Sequence, residues 1–276
     1  MVDRPRRVIL CPSCGRLTNA DAAECLICGR RNPGMWGMTG IAQRLFRGRD
    51  TTGIITILCV VLYVTSLVLD PAAAMRPMSG FELFSPSPFA LVALGATGTS
   101  LWDAGRWWTV LTAVYLHGGV LHILFNVLWI RQLGPEVEEI YGRARYLVIF
   151  TIAGAAGFIL SDVVGVRLTV GASGAVFGLL GAMIAFGKKR GGAFGRLVLT
   201  QYGQWALIMF VFGLLPGTAV NNWAHAGGFL AGFAGASVLS FKSERRETGL
   251  DRMLAGGAAV LTIVAFAVTL WTTFIG

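Results

Sequence analysis

The chain has 276 residues, of which 55% are hydrophobic and only 13% charged, with a mean hydropathy of +0.67. That balance excludes an ordinary soluble domain of this length and predicts an all-α polytopic membrane protein. The formal charge of +9 follows from membrane topology and anionic lipid at the inner surface, so no nucleic acid partner is expected.

The chain begins with a polar head, residues 1–34. Cys11-Pro-Ser-Cys14-Gly and Cys25-Leu-Ile-Cys28-Gly are separated by ten residues, so two CxxC knuckles supply four thiolates to one tetrahedral zinc. Gly15 and Gly29 permit the tight turns that aim each sulfur pair at the metal. A pair of disulfides or a redox CxxC is the competing reading, but a cytoplasmic head sits in a reducing compartment where structural disulfides are rare. Four protein ligands leave the metal no open position, so this zinc is expected to be structural, and the ribbon to stiffen the head or bind a cytoplasmic protein partner.

Residues 35–52 combine Trp36, Ile41, Leu45 and Phe46 with Arg44, Arg47 and Arg49, the make-up of a basic amphipathic helix lying on inner-leaflet lipid, with a solvated linker as the alternative. The first apolar run comes only after about fifty residues, too late for a signal peptide. Ala72-Ala73-Ala74 mimics a cleavage site and is read as loop.

Seven apolar stretches follow, roughly 53–69, 108–130, 146–164, 171–187, 197–215, 221–241 and 254–275, each near the ~20 residues a helix needs to span a bilayer. None holds Lys, Arg or Glu in its interior, and Cys59 in the first reads as a small packing residue. Twenty of the 23 Lys and Arg residues fall in alternate segments counted from the N-terminal one, which predicts a cytoplasmic N-terminus. The second, fourth and sixth spans then start at the outer face.

All three histidines, His117, His122 and His225, lie inside these spans, where a polar titratable group is costly unless paired or working. Ser173, within Gly171-Ala172-Ser173-Gly174, opens the fourth span at a depth matching His225 in the sixth, which suggests a nucleophile and its base. His122 and Asn126 form an i, i+4 pair on one helical face and are assigned to the site. His117 points about 140° away and is assigned a structural hydrogen bond to the loop preceding its helix. Gly174, Gly178 and Ala182 on the fourth span, and Gly228, Gly232 and Gly235 on the sixth, are small enough for close helix approach. Phe177, one turn below Ser173, is positioned to stack on His225 and hold its orientation where no carboxylate is available. Asp162, at the outer end of the third span, reads as a solvated interfacial residue rather than a third triad member.

The bland alternative for this set is polar glue between helices; four such residues converging from three spans favour a site. The Gly-x-Ser-x-Gly elbow, the His-Glu-x-x-His zinc motif and an intramembrane aspartyl pair are each missing from the spans. A transporter would more naturally carry midplane ionisable groups and repeat symmetry.

Over residues 53–241 the chain resembles the rhomboid family of intramembrane serine proteases. The resemblance rests on His117-Gly118-Gly119-Val120-Leu121-His122-Ile123-Leu124-Phe125-Asn126, on Gly171-Ala172-Ser173-Gly174, and on Ala224-His225-Ala226-Gly227-Gly228. It implies a six-helix core, with residues 242–276 adding a loop and a seventh transmembrane helix, and the zinc ribbon as an accessory. It implies Ser173 as nucleophile, His225 as base, and an oxyanion hole of His122, Asn126 and the Ser173 backbone N–H, with Gly171, Phe177 and His117 in support and no cofactor for catalysis. Residues 70–107 resemble the family's first external loop; the family's Trp-Arg pair before the second span stands here as Trp108-Thr109, with Arg106 upstream. Many relatives carry tyrosine where Phe177 stands.

The expected activity is cleavage of single-pass transmembrane proteins in or near their membrane segment, at a site opening to the outer side of a cell membrane. A non-catalytic relative that binds membrane clients is the alternative.

Overall fold

The structure is a computed structural model that describes residues 8–11, 16–19, 22–29, 31, 33, 51–75, 84–218, 220–239, 241 and 246–275. The chain divides into two compact units, Met1–Gly53 and Ile54–Gly276. Cys14, Gly15 and residues 35–50 of the expected amphipathic segment lie outside the described residues.

In the smaller unit, β1 (Val8–Leu10) pairs antiparallel with β2 (Leu17–Asn19), Ile9 opposite Thr18. Just past β1, the Cys11 N–H donates to the Arg16 carbonyl at 2.8 Å. The Cys25–Cys28 knuckle closes through Gly29 N–H on the Cys25 carbonyl at 2.9 Å, with Gly29 at φ +71°, a left-handed conformation that glycine adopts without strain.

The larger unit is helical. In chain order it contains α1 (Thr51–Leu69), α2 (Pro71–Ala74), α3 (Pro88–Leu94), α4 (Thr99–Asp103), α5 (Thr109–Thr112) running into a 3-10 turn (Ala113–Tyr115), α6 (Val120–Tyr141), α7 (Arg143–Val163), α8 (Ser173–Arg190), α9 (Gly192–Phe212), α10 (Asn222–Val238) and α11 (Gly249–Phe274). The alanine run after the first span is not loop: Asp70 caps the Ala73 N–H at 3.1 Å and Pro71 opens the short α2.

Helices α1, α7 and α11 are each long and apolar enough to cross a membrane, and the bent pair of Thr109–Tyr115 and α6 makes a fourth candidate. The expected second span over 108–130 is thereby corrected. The chain turns by 92° across Leu116–Gly119, where Gly118-Gly119 interrupt the ladder, and α6 continues past residue 130 to Tyr141. Its polar end is satisfied locally: the Tyr202 hydroxyl donates to Glu136, and Arg143 pairs with Glu138 at 3.1 Å.

Helix α8 is an interior helix, enclosed by its neighbours. α8 packs against α6, α7, α9 and α10, and its residues Gly174–Met183 are all buried. A helix surrounded by protein needs small residues for close approach more than lipid-soluble bulk. A β-carbon on Gly228 would run into the Gly174 carbonyl, and one on Gly232 into Gly178. Gly235, expected on the same stripe, meets nothing within 4 Å, whereas Gly181, unforeseen, faces the Phe229 carbonyl.

The loop before α6 is tied down from two sides. Arg106 Nη2 donates to the Val92 carbonyl at 3.2 Å, so this arginine anchors the loop from its upstream position, and Trp108 Nε1 donates to Thr269 Oγ1 of α11 at 3.0 Å. At its other end α11 is fixed by a Thr248–Asp251 capping box and by Arg145, which meets Asp251 at 2.9 Å.

Candidate active site

Ser173 is the first residue of α8. The first N–H groups of a helix have no intrahelical acceptor and carry the positive end of its dipole, so the Ser173 N–H is a free-standing donor of the kind that suits developing negative charge. His225 sits in the first turn of α10, whose N-cap Asn221 accepts from the Ala224 N–H at 3.1 Å. Asn221 also donates to Ser161 Oγ at 2.6 Å and Thr169 Oγ1 at 3.0 Å, locking this helix start to α7 and to the strand-like stretch before α8.

The glycine seam brings the two side chains together: His225 Nε2 lies 2.9 Å from Ser173 Oγ. The Phe177 ring stacks on the imidazole, with centroids 4.1 Å apart and planes 15° from parallel. His225 is 4% exposed, while Ser173 remains partly accessible. On its other side the His225 ring meets Asn222, whose Oδ1 is 3.0 Å from Nδ1. Sequence reasoning missed Asn222; the signal was its i−3 spacing from the histidine on the same helical face.

His122 lies near the start of α6 and accepts the Gly118 N–H on Nδ1 at 3.2 Å. Its ring lies against Gly171, where a β-carbon would come 2.6 Å from Nε2; Gly171 also has φ +131°, so glycine is required there twice over. Asn126 is 5% exposed and its Nδ2 donates to the His122 carbonyl at 2.9 Å. An amide nitrogen has two N–H donors, so one remains.

His117 differs from expectation. It precedes α6 rather than lying in it, and neither ring nitrogen makes a well-formed hydrogen bond among the described residues, the Tyr115 backbone supplying only a weak interaction. The ring is buried and meets His122 edge-on, centroids 5.2 Å apart. Asp162 also differs: it is 7% exposed rather than solvated, and accepts from Thr97 Oγ1 at 3.2 Å. That bond, made through Oδ2, ties the external loop to α7.

A family model described as the Rhomboid domain matches residues 104–242, about half of the chain. The chain belongs to the rhomboid family. It is 38% identical over 174 residues to the Rhomboid protease GluP of Bacillus subtilis, covering 63% of this chain and 32% of that protein. It is 34% identical over 181 residues to RHOMBOID-like protein 5 of Arabidopsis thaliana, covering 62% and 56%. To RHOMBOID-like protein 2 of the same plant it is 30% identical over 227 residues, covering 74% and 69%. The chain thus spans from a third to rather more than half of the length of the first two relatives. The rhomboid match contains every histidine, Ser173 and the glycine seam.

Between α6 and α9 lies a cleft of about 550 Å³ lined by Phe125, Leu128, Trp129, Gln201 and Trp205 among others, none of them a residue of the Ser173–His225 pair. Trp129 and Trp205 touch edge-on in its wall, centroids 5.2 Å apart.

In the smaller unit, the sulfurs of Cys11, Cys25 and Cys28 lie within 4.8 Å of one another, Cys11 Sγ and Cys28 Sγ at 3.7 Å. Tetrahedral zinc thiolates with bonds of about 2.3 Å put their sulfurs about 3.8 Å apart, so this cluster has the dimensions to hold a metal. The backbone N–H groups of Ile27 and Cys28 hold the Cys25 thiol below its ordinary value, which favours the thiolate a metal needs. Cys14, the expected fourth ligand, lies outside the described residues.

Proposed function

We propose that this protein is an intramembrane serine endopeptidase that cleaves single-pass transmembrane proteins in or near their membrane segment, with Ser173 as nucleophile and His225 as base. The observation that carries this reading is the 2.9 Å contact between Ser173 Oγ and His225 Nε2, with the imidazole stacked on Phe177. Ser173 Oγ attacks the scissile carbonyl carbon as its proton passes to His225 Nε2. The carbonyl oxygen takes up negative charge opposite the Ser173 N–H, His122 and Asn126. Because His122 Nδ1 accepts from Gly118 N–H, the neutral ring carries its proton on Nε2 and is a donor on the side of Gly171. The Asn126 amide contributes the N–H that the His122 carbonyl does not use. His225 then protonates the leaving amine as the C–N bond breaks, and water, deprotonated by the same ring, hydrolyses the acyl-enzyme.

A transmembrane helix hides its carbonyls in its own hydrogen bonds, so the substrate must unwind locally. Helix-weakening Gly or Pro and a small residue at the cut are expected. The apolar cleft between α6 and α9 offers such a segment an approach from the lipid. The N-terminus is cytoplasmic by the distribution of Lys and Arg, and the site opens to the outer side of the cell membrane. In the head, Cys11, Cys14, Cys25 and Cys28 hold one structural zinc that takes no part in hydrolysis.

Labelling of purified protein with a fluorophosphonate tests the reading. Stoichiometric adduct on Ser173, lost in His225→Ala, is expected; an unlabelled wild type would favour the non-catalytic, client-binding alternative.

A further inference from the structure

We propose that Asn222 is a positioning residue that fixes the His225 imidazole in the tautomer able to act as base, and that the Phe210 backbone carbonyl of α9 fixes Asn222 in turn. The inference rests on the reading of Ser173 and His225 given above. The Asn222 carboxamide touches two partners: Nδ2 lies 3.1 Å from the Phe210 carbonyl and Oδ1 lies 3.0 Å from His225 Nδ1. A carbonyl oxygen only accepts, so the amide atom facing Phe210 must be the nitrogen. The amide oxygen then faces His225, and since it too only accepts, Nδ1 must carry the hydrogen. In a neutral imidazole that leaves Nε2 with its lone pair, and Nε2 is the nitrogen 2.9 Å from Ser173 Oγ. A backbone group on one helix thus decides which nitrogen of a histidine on another can take the proton. The opposite tautomer would present N–H to the alcohol and could not deprotonate it. When Nε2 gains the serine proton, Oδ1 still accepts from Nδ1–H and its dipole opposes the new positive charge, the part a carboxylate or amide plays as third member of a hydrolase triad.

A second observation on a different element points the same way. Gly213, just past α9, has φ −68° and ψ −10°, a conformation open to any residue. What forbids a side chain there is space, since a β-carbon would strike Asn222 Oδ1 and come 2.7 Å from Val220 Cγ1. The backbone withdraws where the carboxamide must lie.

The test uses full-length protein in detergent or liposomes, labelled with ¹⁵N-histidine. Its three histidines give few enough signals to assign His225 by single replacements. Wild type should show His225 protonated at Nδ1. Asn222→Leu and Gly213→Ala should shift it toward the Nε2-protonated form and lower kcat by about tenfold to a hundredfold, with KM unchanged. That is less than the ~10⁴-fold seen when a triad imidazole is left in the wrong tautomer, because the Phe177 stack persists. Asn222→Asp, which keeps an acceptor opposite Nδ1, should keep the tautomer and recover most of kcat. An unmoved tautomer in Asn222→Leu, or an equal loss of kcat in Asn222→Asp, would overturn the proposal and leave Asn222 as a helix-start residue. A wild type inert to fluorophosphonate would instead defeat the dyad itself, whereas a reactive wild type matched in labelling rate by Asn222→Leu defeats only the role of Asn222.

Discussion

The seam between α8 and α10 and the cleft between α6 and α9 are built on opposite principles within one core. In the seam, backbone meets backbone: Gly174 and Gly178 face Gly228 and Gly232 with no room for a single methyl. In the cleft, large rings such as Trp129 and Trp205 meet edge-on around open space. Close backbone packing has few alternative arrangements, so it suits a contact that must hold Ser173 and His225 at hydrogen-bond distance. Aromatic side chains that line open space can rotate into it, so they suit a face that must adapt to what enters.

The largest effect should come from Gly228→Val. Overpacking costs about 1–3 kcal/mol even where neighbours can shift, and the Gly174 carbonyl opposite Gly228 cannot; cleavage should be lost and thermal unfolding should begin well below that of wild type. A variant with normal Tm and turnover would remove the seam from the account. His122→Ala should come next, lowering kcat about 10²- to 10³-fold with Tm near wild type, because it removes a donor to the oxyanion without touching the seam. Trp205→Ala should sharpen the contrast: kcat is retained, and Tm falls by less than in Gly228→Val. If Trp205→Ala abolishes turnover, the cleft is part of the reacting geometry rather than an approach to it. The smallest effect on catalysis should follow replacement of Cys11, Cys14, Cys25 and Cys28 by serine. Elemental analysis should fall from about one zinc per chain to none, with kcat unchanged.

The seam was largely legible in the sequence because small residues every fourth position have one physical use in a membrane helix. Gly235 and Gly181 show the limit, since the pattern does not say where two helices diverge or which backbone lies opposite. The break before α6 was hidden by its own composition: Leu116, His117 and the two glycines continue an apolar run, and only the turn reveals that His117 stands outside the helix. Asp162 looked solvated because its partner, Thr97, is 65 positions away. Asn222 was invisible for the same reason, as its meaning depends on a carbonyl across the bundle that no residue type announces. In the head, the spacing pointed to one cluster of thiols, and Cys11, Cys25 and Cys28 do lie together.

The central claim is that Ser173 Oγ, activated by His225, attacks a peptide bond. Cleavage of a reporter transmembrane substrate in liposomes by wild type and by Ser173→Ala, at equal folded concentration, tests it most directly. The account predicts defined fragments from wild type and none from Ser173→Ala, with both proteins unfolding at the same temperature. Equal fragment yield from the two would contradict it.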